Sequence, residues 1–252
     1  MVTEAAPSLA GRVALVTGGG RRIGACISRT LHQAGMDIAI HYRHSDRAAR
    51  GLMEELVAER PGSVRLFQGD LLQEGLPARL VGEVASWRGH LDLLVNNASS
   101  FFPTPLGEAT GQQWEELMGS NLKAPFFLCQ AAAPLLRARQ GNIVNLVDIH
   151  ADRPLEGHPI YSMAKAGNAM MVKALAWELG PAVRVNGIAP GVILWPESGI
   201  DDQEQQATLA RTALKRPGRP EDIARTLLFL VRDADYITGQ IIPVDGGRSI
   251  QQ

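Results

Sequence analysis

Val13-Ala14-Leu15-Val16-Thr17-Gly18-Gly19-Gly20-Arg21-Arg22-Ile23-Gly24 joins a short apolar run to a glycine-rich turn, and a helical pattern follows it. Strand, glycine turn and helix in that order make a phosphate-binding unit. Glycines let the backbone approach a pyrophosphate closely, and the helix N-terminus offers N–H groups and positive potential. A merely tight turn needs the glycines but neither the strand before nor the helix after. The stretch therefore predicts a nucleotide site on an α/β scaffold.

Outward from this unit the alternation continues along the chain. Brief runs rich in Val, Ile and Leu at 12–17, 37–42, 63–68, 91–95, 142–147, 182–187 and 240–243 predict strands. Longer patterns at 22–34, 46–60, 75–87, 112–139, 161–180, 203–214 and 220–232 predict helices. No Pro/Ser-rich linker, charge block or internal repeat interrupts them, so residues 1–252 are expected to form one nucleotide-binding and catalytic domain. The expected fold is α/β: a Rossmann-type, doubly wound, seven-stranded parallel sheet with helices on both faces. Ligands of such sheets bind beyond the carboxyl ends of the strands.

Composition narrows the function classes. With 25 Lys+Arg against 26 Asp+Glu, the chain has no global positive field to draw nucleic acid. Cys26 and Cys129 stand far apart, outside any CxxC pattern, which fits a reducing compartment and predicts no metal site. Residues 1–9 hold Glu4 and no basic residue before their apolar stretch, unlike a secretory signal. The nearly apolar run 125–136 is broken by Gln130 and is too short to span a bilayer. A cytoplasmic enzyme without membrane contact is the expectation.

The turn reads TGxxxRxG, which resembles the TGxxxGxG loop of the short-chain dehydrogenase/reductase family, with Arg22 in place of the middle glycine. The resemblance runs from residue 12 to Asp245-Gly246-Gly247. Asn96-Asn97-Ala98-Ser99 stands where the family has NNAG, Asn121 at its catalytic asparagine, and Pro190-Gly191 at its PG turn. Tyr161-Ser162-Met163-Ala164-Lys165 matches its YxxxK, a pair for which chance predicts about 0.05 occurrences in this composition. The resemblance implies Tyr161 as proton donor, with Lys165 and Asn121 in support, and Gly18, Ile23, Gly24, Asn97, Ala98, Pro190 and Gly191 around the cofactor.

Tyr161 and Lys165 lie four apart on a predicted helix, so both can reach a nicotinamide ribose. A nearby ammonium is expected to lower the phenol pKa from about 10. The family places a serine 13 residues before its tyrosine, and here that position is Asp148. A carboxylate repels the alkoxide formed in ketone reduction but suits ring nitrogens and N–H donors. Coupled to Asp148, Tyr161 should stay protonated. The plain alternative is an aspartate that caps a loop.

At the end of the second expected strand the chain reads His41-Tyr42-Arg43-His44-Ser45, with no acid before Asp46. Arg43 can fork onto a 2′-phosphate, with Tyr42, His44 and Ser45 beside it, so NADPH is the expected cofactor. Asp70, with Leu71, resembles the family's adenine-contacting segment.

Arg22, Ser99 and Asp148 depart from the general pattern together, and in this they resemble the pteridine reductase branch. That resemblance implies Phe101 stacked on a pterin, Ser99 hydrogen-bonded to it, and Arg22 bridging cofactor phosphate and substrate. Phe101 with Phe102 sealing a core is the plain alternative. Trp195 opens the family's substrate-lid segment, where its indole would bind a planar substrate or else pack a helix, and the polar stretch 196–206 argues against an acyl tunnel. The implied reaction is hydride transfer from NADPH to an oxidised or dihydro pterin or folate, with a proton from Tyr161. Bacterial dihydromonapterin reductases share the Gly-Gly-Gly-Arg-Arg-Ile-Gly string. The rival readings are a 3-oxoacyl-carrier-protein reductase and a non-catalytic NADPH-binding regulator. A homotetramer is implied by resemblance, with the long patterns 112–139 and 161–180 as candidate interface.

Overall fold

In the computed structural model, which describes residues 8–195, 199 and 201–250, seven strands lie close to the apolar runs. They are β1 Val13–Thr17, β2 Asp37–Tyr42, β3 Val64–Gln68, β4 Leu93–Asn96, β5 Asn142–Leu146, β6 Arg184–Pro190 and β7 Ile241–Val244. All pair in parallel, in the order β3-β2-β1-β4-β5-β6-β7. The winding reverses between β1 and β4, which opens a crevice at their carboxyl ends. β6 runs past its expected end because Gly187 to Pro190 pair with Ile241 to Val244. Residues 1–7 of the expected leaderless start, and 196–198 and 200 of the stretch 196–206, lie outside the described residues.

Helices cover both faces: α1 Arg22–Gln33, α2 Asp46–Glu59, α3 Leu76–Arg88, α4 Gly111–Met118, α5 Ala124–Arg139, α6 Pro159–Leu179, α7 Asp202–Ala210 and α8 Pro220–Arg232. Successive β1 side chains serve opposite cores, as a period of two requires. Ala14 and Val16 pack with Ile27 of α1, Leu52 of α2 and Leu227 of α8. Val13 and Leu15 pack with Leu80 of α3, Leu128 of α5 and Val172 of α6. Each such buried aliphatic contributes about 1.5–3 kcal/mol.

The single helix expected over 112–139 is two helices joined by a π turn, Gly119–Lys123. Asn121 stands at the centre of the break. Its Nδ2 donates to the Leu117 carbonyl, 3.0 Å away and four residues back, the acceptor that an α-helical N–H would use.

Candidate active site

The glycine turn is clamped to the end of β4. Thr17 Oγ1 donates to the Val95 carbonyl (3.2 Å) and accepts the Asn97 and Ala98 amides (3.0 Å each). Asn97 Nδ2 donates to the carbonyls of Thr17 (2.8 Å) and Gly18 (3.1 Å). Gly24 permits this fit, because a Cβ there would stand 2.2 Å from the Gly18 oxygen.

Beyond the turn lies a cleft of about 460 Å³. Gly18, Arg22, Ile23 and Gly24 form one wall, and Tyr42, Arg43, His44 and Ser45 another. Asp70 and Leu71, then Asn97, Ala98 and Ser99, complete it. Tyr161 and Lys165 do not line it. Arg21 at the N-cap of α1 makes no side-chain cap, and the amides of Ile23 and Gly24 make no hydrogen bond among the described residues. Pro190 and Gly191 do not line this cleft; they stand at the end of β6, where the Gly191 amide donates to the Val244 carbonyl.

Tyr161 and Lys165 lie one turn apart on α6, both buried. Tyr161 Oη donates to Asp148 Oδ2 at 2.7 Å. Asp148 Oδ1 meanwhile accepts the His150 amide at 2.8 Å and caps the short 3₁₀ turn Ile149–Ala151. The aspartate thus caps a loop and holds the tyrosine, one oxygen for each task. Lys165 Nζ donates to the Leu146 carbonyl at 2.9 Å and lies 5.6 Å from the Tyr161 ring centre.

The expected lowering of the phenol pKa does not hold here. Burial, then the charge and hydrogen bond of Asp148, push Tyr161 well above 10. Burial pulls Lys165 down to about 8, against the attraction of Asp148. The group therefore holds a protonated phenol beside a carboxylate, with an ammonium that titrates in the mildly alkaline range.

Asn121 sits in the π turn at the end of a buried amide chain. Asn96 Nδ2 donates to Asn145 Oδ1 (2.9 Å), Asn145 Nδ2 to Asn168 Oδ1 (3.0 Å), and Asn168 Nδ2 to the Asn121 carbonyl (2.7 Å). These bonds join β4, β5, α6 and the π turn. Asn145 and Asn168 carry no motif signal; only their short polar side chains inside apolar elements mark them in the sequence.

Phe101 is half exposed; its ring stacks on His158 (centroids 4.8 Å, 10° between planes) and makes a T-shaped contact with Tyr161 (4.9 Å, 80°). Phe102 packs instead against Leu117 and Ile160. Arg22 Nη2 donates to the Trp195 carbonyl at 2.9 Å and reaches that of Leu194 at 3.5 Å. Arg22 thereby ties the glycine turn to the segment after β6, while Ser99 is exposed between cleft and Phe101.

A family profile described as Enoyl-(Acyl carrier protein) reductase matches residues 19–249. Pteridine reductase 1 of Leishmania tarentolae is 34% identical, over 94% of this chain and 96% of its own. The 3-oxoacyl-(acyl-carrier-protein) reductase FabG of Staphylococcus aureus strain Mu50 is 36% identical, over 93% and 96%. That of Staphylococcus epidermidis strain ATCC 12228 is 36% identical, over 93% and 97%.

The chain belongs to the short-chain dehydrogenase/reductase family.

As a member of this family it is an oxidoreductase that uses a nicotinamide nucleotide and a small-molecule substrate. Where the short-chain dehydrogenase/reductase loop has its middle glycine, Arg22 takes φ +51°, the left-handed region that glycine enters freely. Among the described residues no helix is long and apolar enough to cross a membrane, and no cluster of His, Cys, Asp and Glu is placed to hold a metal ion.

Proposed function

We infer that this enzyme is an NADPH-dependent pteridine reductase, converting oxidised or dihydro pterins or folates to their dihydro or tetrahydro forms. The observation that carries the reading is the 2.7 Å hydrogen bond between Tyr161 and Asp148, where the wider family has a serine. The likeness to the Leishmania pteridine reductase supports it.

When bound, the nicotinamide supplies a hydride to a ring carbon of the substrate. Tyr161 holds its proton, because burial and Asp148 both disfavour phenolate, and gives it to the adjacent ring nitrogen. Asp148 accepts from the pterin N–H groups and orients the Tyr161 hydroxyl. Lys165, charged below about pH 8, offsets the negative charge left on the phenol. Phe101 offers a ring face to a flat substrate, and Ser99 and Arg22 offer polar groups beside it.

NADPH is favoured over NADH because Arg43, His44 and Ser45 follow the second strand without a carboxylate among them for a ribose 2′-hydroxyl. One sheet with a core on each face supports reading residues 1–252 as a single domain. Its two free cysteines fit the cytoplasm. Met163, Met170 and Trp177, spaced by seven on α6, are 48%, 62% and 90% exposed, which supports self-association, read here as a homotetramer.

The second reading is a 3-oxoacyl thioester reductase, favoured by the staphylococcal relatives and served by the same Tyr161 and Lys165. Asp148 counts against it, since a carboxylate 2.7 Å from the proton donor repels a nascent alkoxide. NADPH oxidation with dihydrobiopterin and with an acetoacetyl thioester separates the two. Turnover of the pterin with little of the thioester is expected; the reverse preference overturns the pteridine reading.

A further inference from the structure

No motif marks Glu116, yet one of its carboxylate oxygens joins the cofactor side of the cleft to the substrate side. Oε1 accepts the Ser100 hydroxyl at 2.5 Å and Arg43 Nη1 at 3.3 Å. Ser100 is the residue between Ser99 and Phe101. Its other polar groups are held by the same part of the fold: its amide donates to Ser120 Oγ (3.3 Å), and its carbonyl accepts Asn121 Nδ2 (2.9 Å). Arg43 is the residue read as the 2′-phosphate ligand.

Arg43 meets its second carboxylate, Asp70 Oδ2 at 3.6 Å, through the same Nη1. Its Nε and Nη2 make no hydrogen bond among the described residues, and together they form the edge that forks onto a phosphate. Two carboxylates therefore hold one side of the guanidinium and leave the other presented. A phosphate on the open edge restrains the arginine, keeps Nη1 on Glu116, and through the shared oxygen restrains Ser100.

We propose that Glu116 is a positioning residue that couples 2′-phosphate binding at Arg43 to the ordering of segment 99–101. The substrate wall then forms fully only when a phosphorylated cofactor is in place. This rests on the reading of Arg43 as the phosphate ligand and is independent of whether the substrate is a pterin or a thioester.

The test uses two ligands that lack nicotinamide, adenosine 2′,5′-bisphosphate and adenosine 5′-monophosphate, each at saturation. Amide hydrogen exchange is followed over residues 97–103. In the wild type the bisphosphate should slow exchange there about threefold or more beyond the monophosphate. In Glu116→Gln and in Ser100→Ala that difference should vanish, while the bisphosphate still binds within about threefold of the wild-type Kd. Slowing that persists in both variants overturns the proposal. So does its absence in the wild type when the bisphosphate binds more tightly than the monophosphate; the NADPH reading then stands alone. A loss of bisphosphate affinity beyond about tenfold in Glu116→Gln makes Glu116 part of the binding site itself, not a coupler. If the bisphosphate binds no more tightly than the monophosphate in the wild type, the NADPH reading fails and the proposal with it.

Discussion

Asp148 gives one oxygen to the His150 amide and the other to the Tyr161 hydroxyl, and that division sets what each substitution should do. Tyr161→Phe removes the proton shared with Asp148 Oδ2 and should lower kcat by about 10²–10⁴-fold, read in steady-state assays of NADPH oxidation. Lys165 should shape the alkaline limb of the pH–rate profile. Its ammonium is present below about pH 8, so kcat/KM should fall as pH rises through that value. Because the Asp148 carboxylate favours the charged lysine, Asp148→Asn should move that limb to lower pH; a limb that does not move contradicts the pairing. Arg22 is a second divided residue. Its φ of +51° costs about 1 kcal/mol that glycine would not incur, while its side chain holds the Trp195 carbonyl. Arg22→Gly should therefore match or exceed the wild type in thermal stability and yet raise the substrate KM about tenfold or more. Parallel losses of stability and of binding would contradict this account.

The asparagine chain through β4, β5, α6 and the π turn gives the elements around the site one shared dependence. Asn168→Leu strands the Asn145 amide and the Asn121 carbonyl in the interior, so it should cost about 1–3 kcal/mol in urea denaturation. Strands and most helices were legible because apolar runs and 3.6-residue periods are local signals, and β2 and α8 fall where those signals place them. The π turn was not legible: helical patterns flank 119–123 on both sides, and the turn is marked only once Ser120 and Asn121 bond the Glu116 and Leu117 carbonyls four residues back. The glycine turn, Tyr161, Lys165 and Asp148 were readable because their spacing is fixed along the chain. Glu116, His158 and Asn168 were not, since their partners are fixed by the tertiary fold; Glu116 meets Arg43 across 73 residues. The part of Asp148 in raising the Tyr161 pKa was readable, but burial, the largest cause, was not.

At the scale of the whole molecule, stability should carry the mark of His41. Its ring is buried in β2 with Nε2 on the Gly69 carbonyl, and burial lowers its pKa from 6.5 to about 4. The unfolded chain takes up this proton near pH 6.5 and the folded chain only near 4, so stability falls as pH drops between them. From pH 7 to 4.5 this group should account for about 2 kcal/mol of lost unfolding free energy, most of it absent in His41→Asn. Equal acid losses in both proteins would contradict this assignment. The pteridine reading rests on Asp148, and the most direct measurement is the ratio of kcat/KM for dihydrobiopterin to that for an acetoacetyl thioester, in the wild type and in Asp148→Ser. The account predicts a wild-type ratio well above one that falls by about 10²-fold or more in the variant, with thioester turnover maintained or improved. A ratio that favours the thioester in the wild type, or that Asp148→Ser leaves unchanged, would contradict it.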